Sequence, residues 1–339
     1  MKKFDRFLSF AAWAYMLTTV LALAFMYVAG DRWWLATLLL FGPRGALAVP
    51  LIPLIPLVLW RKTPLLLLPL VCGGLIIFGP FMGLRFSLAT PDSAPGEAFR
   101  VLSCNVGGRG FDAKALSKII SEFNVDLVSL QECPPGLKLH LPPWWHTSTA
   151  GGLRVISRYP LRSNPAIFDM HPPHIWPRDC LLPCIITTES GEIAFNAVHL
   201  PSPRYGLQHI LDKKTGLNPM KSDLLASETE NRFRISQKIR DAINSRTLPT
   251  IIAGDFNMPV ESNIYRQHWA DMHNAFSSTG SGYGWSFRNY AKGVPIDVRI
   301  DHILTGNEFK PLHSRIIADI KSDHRPIMAD VILIKNPHE

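Results

Sequence analysis

Hydrophobic positions follow two regimes along the chain. Up to about residue 86 they run almost unbroken, and beyond it they come in short bursts separated by polar and proline-bearing joints. Residues 7 to 30 are 24 uncharged, mostly apolar positions and residues 63 to 84 are 22 more. Each is enough for a bilayer crossing, which takes about 20 residues. Residues 45 to 60 supply 16 more, interrupted by proline, and the WWLATLLLFGP stretch before Arg44 is able to lie at the interface or extend that crossing. Three crossings are expected. A secretory signal would also place Lys2, Lys3 and Arg6 ahead of an apolar run, but this run is long and more apolar segments follow, so a retained anchor is the better reading.

The segment 87 to 98 (SLATPDSAPGEA) is small, polar and proline-bearing, as linkers are. It divides the chain into an anchor over residues 1 to 86 and a globular domain over 99 to 339. In that domain FRVLSCN, VDLVSLQE, LRVISRY, CLLPCIITT, EIAFNAVHL, TIIAGDFN, VRIDHILTG, SRIIADI and PIMADVILI read as strands. A helix is expected from about Asp112 to Phe123, with Asp112 as its N-cap. A longer one spans roughly 221 to 244, where Ile235, Ile239 and Ile243 form one apolar stripe. Strands this numerous with few helices predict an α/β class with two packed sheets and helices outside. The polar stretch 201 to 222 reads as a flexible loop.

Charge refines the division. Of 35 Lys/Arg and 27 Asp/Glu, residues 1 to 85 hold eight and two, so most of the net +8 belongs to the anchor and the globular domain is close to neutral. That balance disfavours a polyanion-binding surface. Positive charge clusters at Lys2, Lys3 and Arg6 and again at Arg61 and Lys62, while the loop between has Arg32 and Arg44 offset in part by Asp31. With three crossings the two clusters share one side, the cytoplasm, which leaves everything after Phe86 outside it. Five cysteines make no disulfide framework in a domain of this size. Cys180 and Cys184 would share one face of a strand, too far apart to pair readily. Buried thiols are expected, and no CxxC pattern supports zinc.

Polar residues stand where the apolar runs end: Asn105, Glu132, His199, Asp255 with Asn257, Asp301, and Asp323 with His324. Strand ends converge on one rim of a sheet, where a hard metal and a phosphate find oxygen ligands and a histidine finds a carboxylate to orient it. Asp255 and Asn257 would face the same way on an extended chain, with Phe256 opposite; an Asx turn is the other reading of GDFN. Glu132 reads as a carboxylate at a buried strand edge.

In this order, VLSCN, LQE, VHL, GDFN, RIDHIL and SDHRP resemble the endonuclease/exonuclease/phosphatase superfamily, over roughly residues 99 to 335. The resemblance implies a four-layer α/β sandwich with the site at one rim, preceded here by a helical transmembrane region. It implies Glu132 as the principal Mg²⁺ ligand, with Mn²⁺ as the alternative metal, Asn105 beside it and Asp323 as a further metal or water contact. Asp255 would position or deprotonate water, Asn257 would donate to the phosphoryl oxygen, and His199 and the Asp301/His324 couple would face phosphate. Arg178 and Arg204 are candidates for gripping phosphate oxygens. Trp144, Trp145 and Trp176 suit lipid contact, core packing or a lid. Members with an N-terminal membrane region, including ones associated with teicoplanin resistance, resemble this layout. They imply a phosphohydrolase acting on a lipid-linked phosphate or pyrophosphate at the outer membrane face, with nucleic acid less favoured. The rivals are an extracytoplasmic nuclease or phospholipid phosphodiesterase, and a non-catalytic receptor for phosphorylated lipid.

Overall fold

The computed structural model describes residues 3–87, 95–107, 111–169, 178–212, 216–218, 220, 222–291 and 293–334. The chain begins with helices α1 (Lys3–Ala29), α2 (Trp34–Phe41), α3 (Leu51–Trp60) and α4 (Leu67–Ile76). Eight strands follow with one helix among them: β1 (Gly96–Asn105), α5 (Ala113–Glu122), β2 (Leu127–Gln131), β3 (His146–Ala150), β4 (Leu153–Ser157), β5 (Leu161–Ser163), β6 (Ile167–Asp169), β7 (Arg178–Thr188) and β8 (Gly191–His199). Next come α6 (Arg204–Ile210), the short strands β9 (Leu211–Asp212) and β10 (Gly216–Leu217), α7 (Asp223–Asn244), β11 (Thr250–Asp255), α8 (Asn263–His268), β12 (His273–Asn274) and α9 (Ala275–Thr279). The chain closes with β13 (Phe287–Ala291), β14 (Val294–Val298), β15 (Asp301–Thr305), β16 (Phe309–Ile316) and β17 (Ile327–Ile334).

Two mixed sheets carry the domain. One runs β16-β17-β1-β2-β4-β3, the other β12-β15-β11-β8-β7-β5 with β6 also on β7. Both faces of the central strands are covered, so they are apolar on both faces rather than alternating with polar positions. Phe99, Val101, Leu127, Phe195, Ala197, Ile251, Ala253 and Ile303 fill the space between the sheets. Leu116 and Ile120 of α5 pack outside the first sheet, and Ile235, Ile239 and Ile243 of α7 outside the second. Each such side chain contributes about 1.5–3 kcal/mol by leaving water. Asp112 caps α5 as expected, its carboxylate accepting from the amides of Lys114 and Ala115.

The inter-sheet face changes character along each strand. On β1, Phe99 and Val101 belong to the core, while Ser103 and Asn105 on the same face are polar and buried. The inner faces of β8, β11 and β15 end in the same manner at His199, Asp255 and Asp301, so one edge of an otherwise apolar core is lined with functional groups.

Residues 201 to 222, expected to be loop, contain α6 instead. Gly206 lets that helix lie directly on α7: a Cβ there would come 2.5 Å from Leu225 Cα, and the Gly206 amide donates to Glu228. Its missing side chain and only two buried positions gave the segment no apolar stripe to read. Cys104, Cys133, Cys180 and Cys184 are buried thiols outside any disulfide, as expected.

Two helices of the N-terminal region, Lys3–Arg32 and Pro64–Phe81, are long and apolar enough to cross a membrane. The middle segment is not one straight span. Trp34–Phe41 and Arg44–Trp60 meet at 91°, across the Gly42–Pro43 joint where proline forbids a continuous helix. Large apolar residues point outward on these helices, among them Phe10 at 72%, Ile52 at 72% and Leu65 at 86% exposure.

Candidate active site

Register brings the motif residues together. Asp255 pairs across the ladder with His199 on parallel β8 and with Asp301 on antiparallel β15, forming one row across three strands. Opposite, Asn105 pairs with Gln131 on β2, and Glu132 follows at once. The site lies where these two rows face each other.

Glu132 and Asn257 both leave their strands in the left-handed backbone region, at φ 53° and 51°. Few residues other than glycine adopt it, and such strain concentrates at functional sites. Glu132 is therefore not a buried strand-edge carboxylate as the sequence implied; its side chain is 50% exposed beside Asn105. Asn105 Nδ2 is 3.1 Å from both Glu132 Oε1 and Asp255 Oδ2, and its Oδ1 accepts from the Gly107 amide. Nor is Asp255-Phe256-Asn257 extended. It is an Asx-type turn, in which the Asn257 amide donates to Asp255 Oδ1 at 2.8 Å. The two side chains still meet, since Asn257 Nδ2 donates to Asp255 Oδ2 and to Leu200 O, while Phe256 packs into the outer core. Both Asn257 side-chain N–H groups are thus engaged in holding Asp255 and the chain after His199.

Two imidazoles converge on Asp255. His199 Nε2 lies 3.7 Å from Asp255 Oδ2 and 3.7 Å from Glu132 Oε1. His324 Nε2 also lies 3.7 Å from Asp255 Oδ2, and its Nδ1 is 2.8 Å from Asp301 Oδ2. Asp301 is fully buried, and its second oxygen, Oδ1, has no hydrogen-bond partner among the described residues. Burial alone would disfavour the His324 cation, yet Asp301 and then Asp255 outweigh it and raise the imidazole to about 10. Burial and the Asp301 carboxylate push Asp255 the other way for an acid, up to about 7, against the pull of His324 and Asn105.

Sequence reasoning missed the residues that brace this arrangement. Ser322 Oγ stands 2.9 Å from the carbonyls of both Asn105 and Gly107 and accepts from the His324 amide, tying the SDH loop to the end of β1. Ser286 Oγ accepts from the amides of Ile300 and Asp301, and Phe287 sets its ring edge against His324 at 5.0 Å. Gly107 is open by necessity: a Cβ there would fall 2.1 Å from Glu132 Oε2. Only Ser322, inside the SDH motif, had a sequence signal.

The other candidates stand further out. Asp323 is exposed, its Oδ1 3.5 Å from Ser322 Oγ, and its carbonyl accepts from the Arg288 amide. Arg204 is exposed at the first position of α6. The Arg178 side chain and Trp176 lie outside the described residues. Trp145 packs against the α5 core and stacks on the exposed Trp144.

Asp255, Asp301 and His324 offer ligand atoms within 4.8 Å of one another, a group able to hold a metal ion. A hard divalent cation fits this donor set, which is mostly carboxylate oxygen and includes a buried oxygen with no other partner. The profile of the Endonuclease/Exonuclease/phosphatase family matches residues 102–324. The chain belongs to that family. It is a metal-dependent hydrolase.

Part of the chain is also similar to solved structures. An endonuclease/exonuclease/phosphatase family protein from Leptotrichia buccalis is 17% identical with a TM-score of 0.49, over 69% of this chain and 99% of that one. TDP2 from D. rerio, complexed with single strand DNA product, is 15% identical with a TM-score of 0.48, over 71% and 99%. The 3′ phosphatase NExo from Neisseria, bound to product DNA hairpin, is 14% identical with a TM-score of 0.46, over 68% and 98%. No curated protein matches the chain. The expectation of a lipid-linked partner, with nucleic acid disfavoured, is corrected here, because matched structures of this fold hold DNA. The near-neutral sum of charges on which it rested averages over the whole domain and says nothing of one rim.

Proposed function

We propose that this chain is a Mg²⁺-dependent phosphodiesterase that cleaves nucleic acid on the outer side of the membrane holding its N-terminal helices. The observation that carries the chemistry is the convergence of Asn105, Glu132, His199, Asp255 and the Asp301–His324 couple on one rim. In this reading residues 1–86 anchor the chain, 87–98 link, and 99–339 catalyse. The layout fits a membrane-anchored branch resembling the teicoplanin-resistance-associated proteins.

Of the two donor sets on this rim, the metal is assigned to Glu132 and Asn105, with Asp323 contributing through water. His324 engages Asp301 Oδ2, and the Asn105 and Asn257 donors engage both Asp255 oxygens, leaving the Asp255, Asp301 and His324 group to handle the proton and the phosphate. Bound there, Mg²⁺ supplies Lewis-acid neutralisation of phosphate oxygens. Asp255, its carboxyl raised to about 7, takes a proton from the attacking water. The His324 imidazolium, fixed through Nδ1 by Asp301, presents Nε2 to a phosphate oxygen, and His199 faces the same space. Asn257, whose side-chain donors are already engaged, orients Asp255. Arg178 and Arg204 are proposed as outer phosphate contacts.

Support for nucleic acid comes from the β13–β14 hairpin, which is bridged to His324 at Phe287 and carries Tyr290 at 62% exposure. In this reading Tyr290, three residues along the strand from Phe287, meets a base further along the bound nucleic acid strand, and such stacking is worth about 1–3 kcal/mol. Support for the membrane comes from the outward apolar faces of α1, α3 and α4. The test is purified full-length chain in detergent with Mg²⁺, offered single-stranded DNA, sphingomyelin and a prenyl pyrophosphate. DNA cleavage is expected, lost with chelator and in Glu132→Gln, and weakened in Tyr290→Ala. Turnover of either lipid with DNA left intact would refute the nuclease reading.

A further inference from the structure

The catalytic turn is held from behind by a side chain that none of the motifs contains. Arg232, on α7, is fully buried. Its Nη1 donates to Asp31 Oδ1 at 3.0 Å, its Nε to Pro201 O at 3.1 Å and its Nη2 to Asn257 O at 3.0 Å. Pro201 lies two residues beyond His199, and Asn257 is the left-handed residue that orients Asp255. One guanidinium therefore clamps the exits of β8 and β11 together.

A guanidinium shut away from water needs a counter-charge. Asp31 provides it, with its own side chain 1% exposed and its other oxygen accepting from Ser262 Oγ, the N-cap of α8. Asp31 sits in the 3-10 turn directly after α1, and Phe41 of α2 lies 5.6 Å beneath the guanidinium. Both come from the N-terminal helices. A second buried ion pair, Arg44–Glu261 at 3.2 Å, also joins the two regions. Among the described residues neither member of that pair is hydrogen-bonded to a site residue.

We infer that Asp31 is a positioning residue for hydrolysis: acting through Arg232, it fixes the Asn257 carbonyl and the chain after His199. The N-terminal helices thereby complete the catalytic geometry instead of serving only as a tether. An asparagine in the left-handed region is tolerated but not preferred, and a charged donor locked onto its carbonyl keeps it there. The inference rests on the hydrolase reading of the site and is independent of the natural substrate.

The experiment compares Asp31→Asn with Glu261→Gln in the full chain in detergent, using bis(p-nitrophenyl) phosphate at saturating Mg²⁺. Asp31→Asn is expected to lower kcat about tenfold with KM nearly unchanged, the size of effect a coupled network carries. Glu261→Gln should lower the melting temperature and leave the kcat of folded protein alone. In an Arg232→Met background, Asp31→Asn should cost less than about twofold more, because the guanidinium through which it acts is gone. Hydrogen exchange supplies a readout free of activity: amides in 199–203 and 255–259 should exchange faster in Asp31→Asn and not in Glu261→Gln. Wild-type kcat in Asp31→Asn, or unchanged exchange there, overturns the inference. A wild-type chain inert toward the ester would count against the hydrolase reading, and exchange alone would then decide the role of Asp31.

Discussion

At Gly107 an absent side chain matters as much as those present. Its backbone needs no left-handed conformation, so replacing it acts through space alone, by driving a methyl to 2.1 Å from Glu132 Oε2. Glu132 would have to move, and with it the carboxylate assigned to the metal. Gly107→Ala should therefore weaken Mn²⁺ or Mg²⁺ binding in a calorimetric titration while moving the melting temperature little. Unaltered metal affinity would show that Glu132 is not a ligand. Asp301 and His324 admit a test by pH. Asp301 and Asp255 raise the imidazole to about 10, so the stability it lends is complete below its unfolded value, about 6.5, and is lost as pH climbs through about 10. Asp301→Asn removes the nearest carboxylate, so the alkaline limb of the rate profile should shift to lower pH. The double variant with His324→Ala should be little worse than His324→Ala alone. Independent, multiplicative losses in folded proteins would mean the two residues do not act as a couple. The motif residues were legible because strand ends are legible. What could not be read was that Glu132 sits at positive φ, since glutamate rarely adopts it, whereas Asn257 is of a type that does and the Asx-turn reading of GDFN was its signal.

At the scale of elements, the register of β8, β11 and β15 does the assembling, and it tolerates no spacing error. Gly254 lies where β11 presses on β8, and a Cβ would come 1.9 Å from the Val198 carbonyl. That atom is backbone and cannot swing aside. Gly254→Ala should cost about 3 kcal/mol or more in thermal or denaturant unfolding and take activity with it by breaking the His199–Asp255 row. A variant as stable as the parent would argue against this parallel pairing. The strands, α5 and α7 were readable from apolar periodicity, because each packs a full stripe or face. Two features were not. Residues 204–210 form a helix held by Gly206 against α7, a contact made by the absence of a side chain. Arg232 occupies the same buried stripe as Ile235, Ile239 and Ile243, a charged residue where an apolar one belongs, and that irregularity was the available signal.

Across the whole molecule, ion pairs sort the ends of the N-terminal helices. Arg61 pairs with Asp5 at 2.8 Å, which brings the Arg61/Lys62 cluster beside the start of α1 with Lys3 and Arg6. At the opposite ends, Asp31 bonds Arg232, Arg44 bonds Glu261, and Arg85 exchanges backbone hydrogen bonds with Gly282. The path from Asp5 to Asp31, from Arg44 back to Arg61, and out again to Arg85 therefore traverses the bundle three times. On this path α2 lies along the end that meets the catalytic region, because it begins and ends there, and the 91° bend follows from that. Lys and Arg gather at the end remote from the catalytic region, and the proposed orientation follows from the tendency of such clusters to remain on the cytoplasmic side. A C-terminal alkaline phosphatase fusion should accordingly be active and a C-terminal cytosolic fluorescent reporter dark. Moving the bias should move the result: replacing Lys2, Lys3, Arg6, Arg61 and Lys62 by glutamine should give a mixed population of orientations, seen as partial activity of both reporters. A bright cytosolic fusion on the unaltered chain would place the site inside the cell and remove the outer-face location from the proposed function, while leaving the rim of Asn105, Glu132, Asp255 and His324 and its chemistry intact.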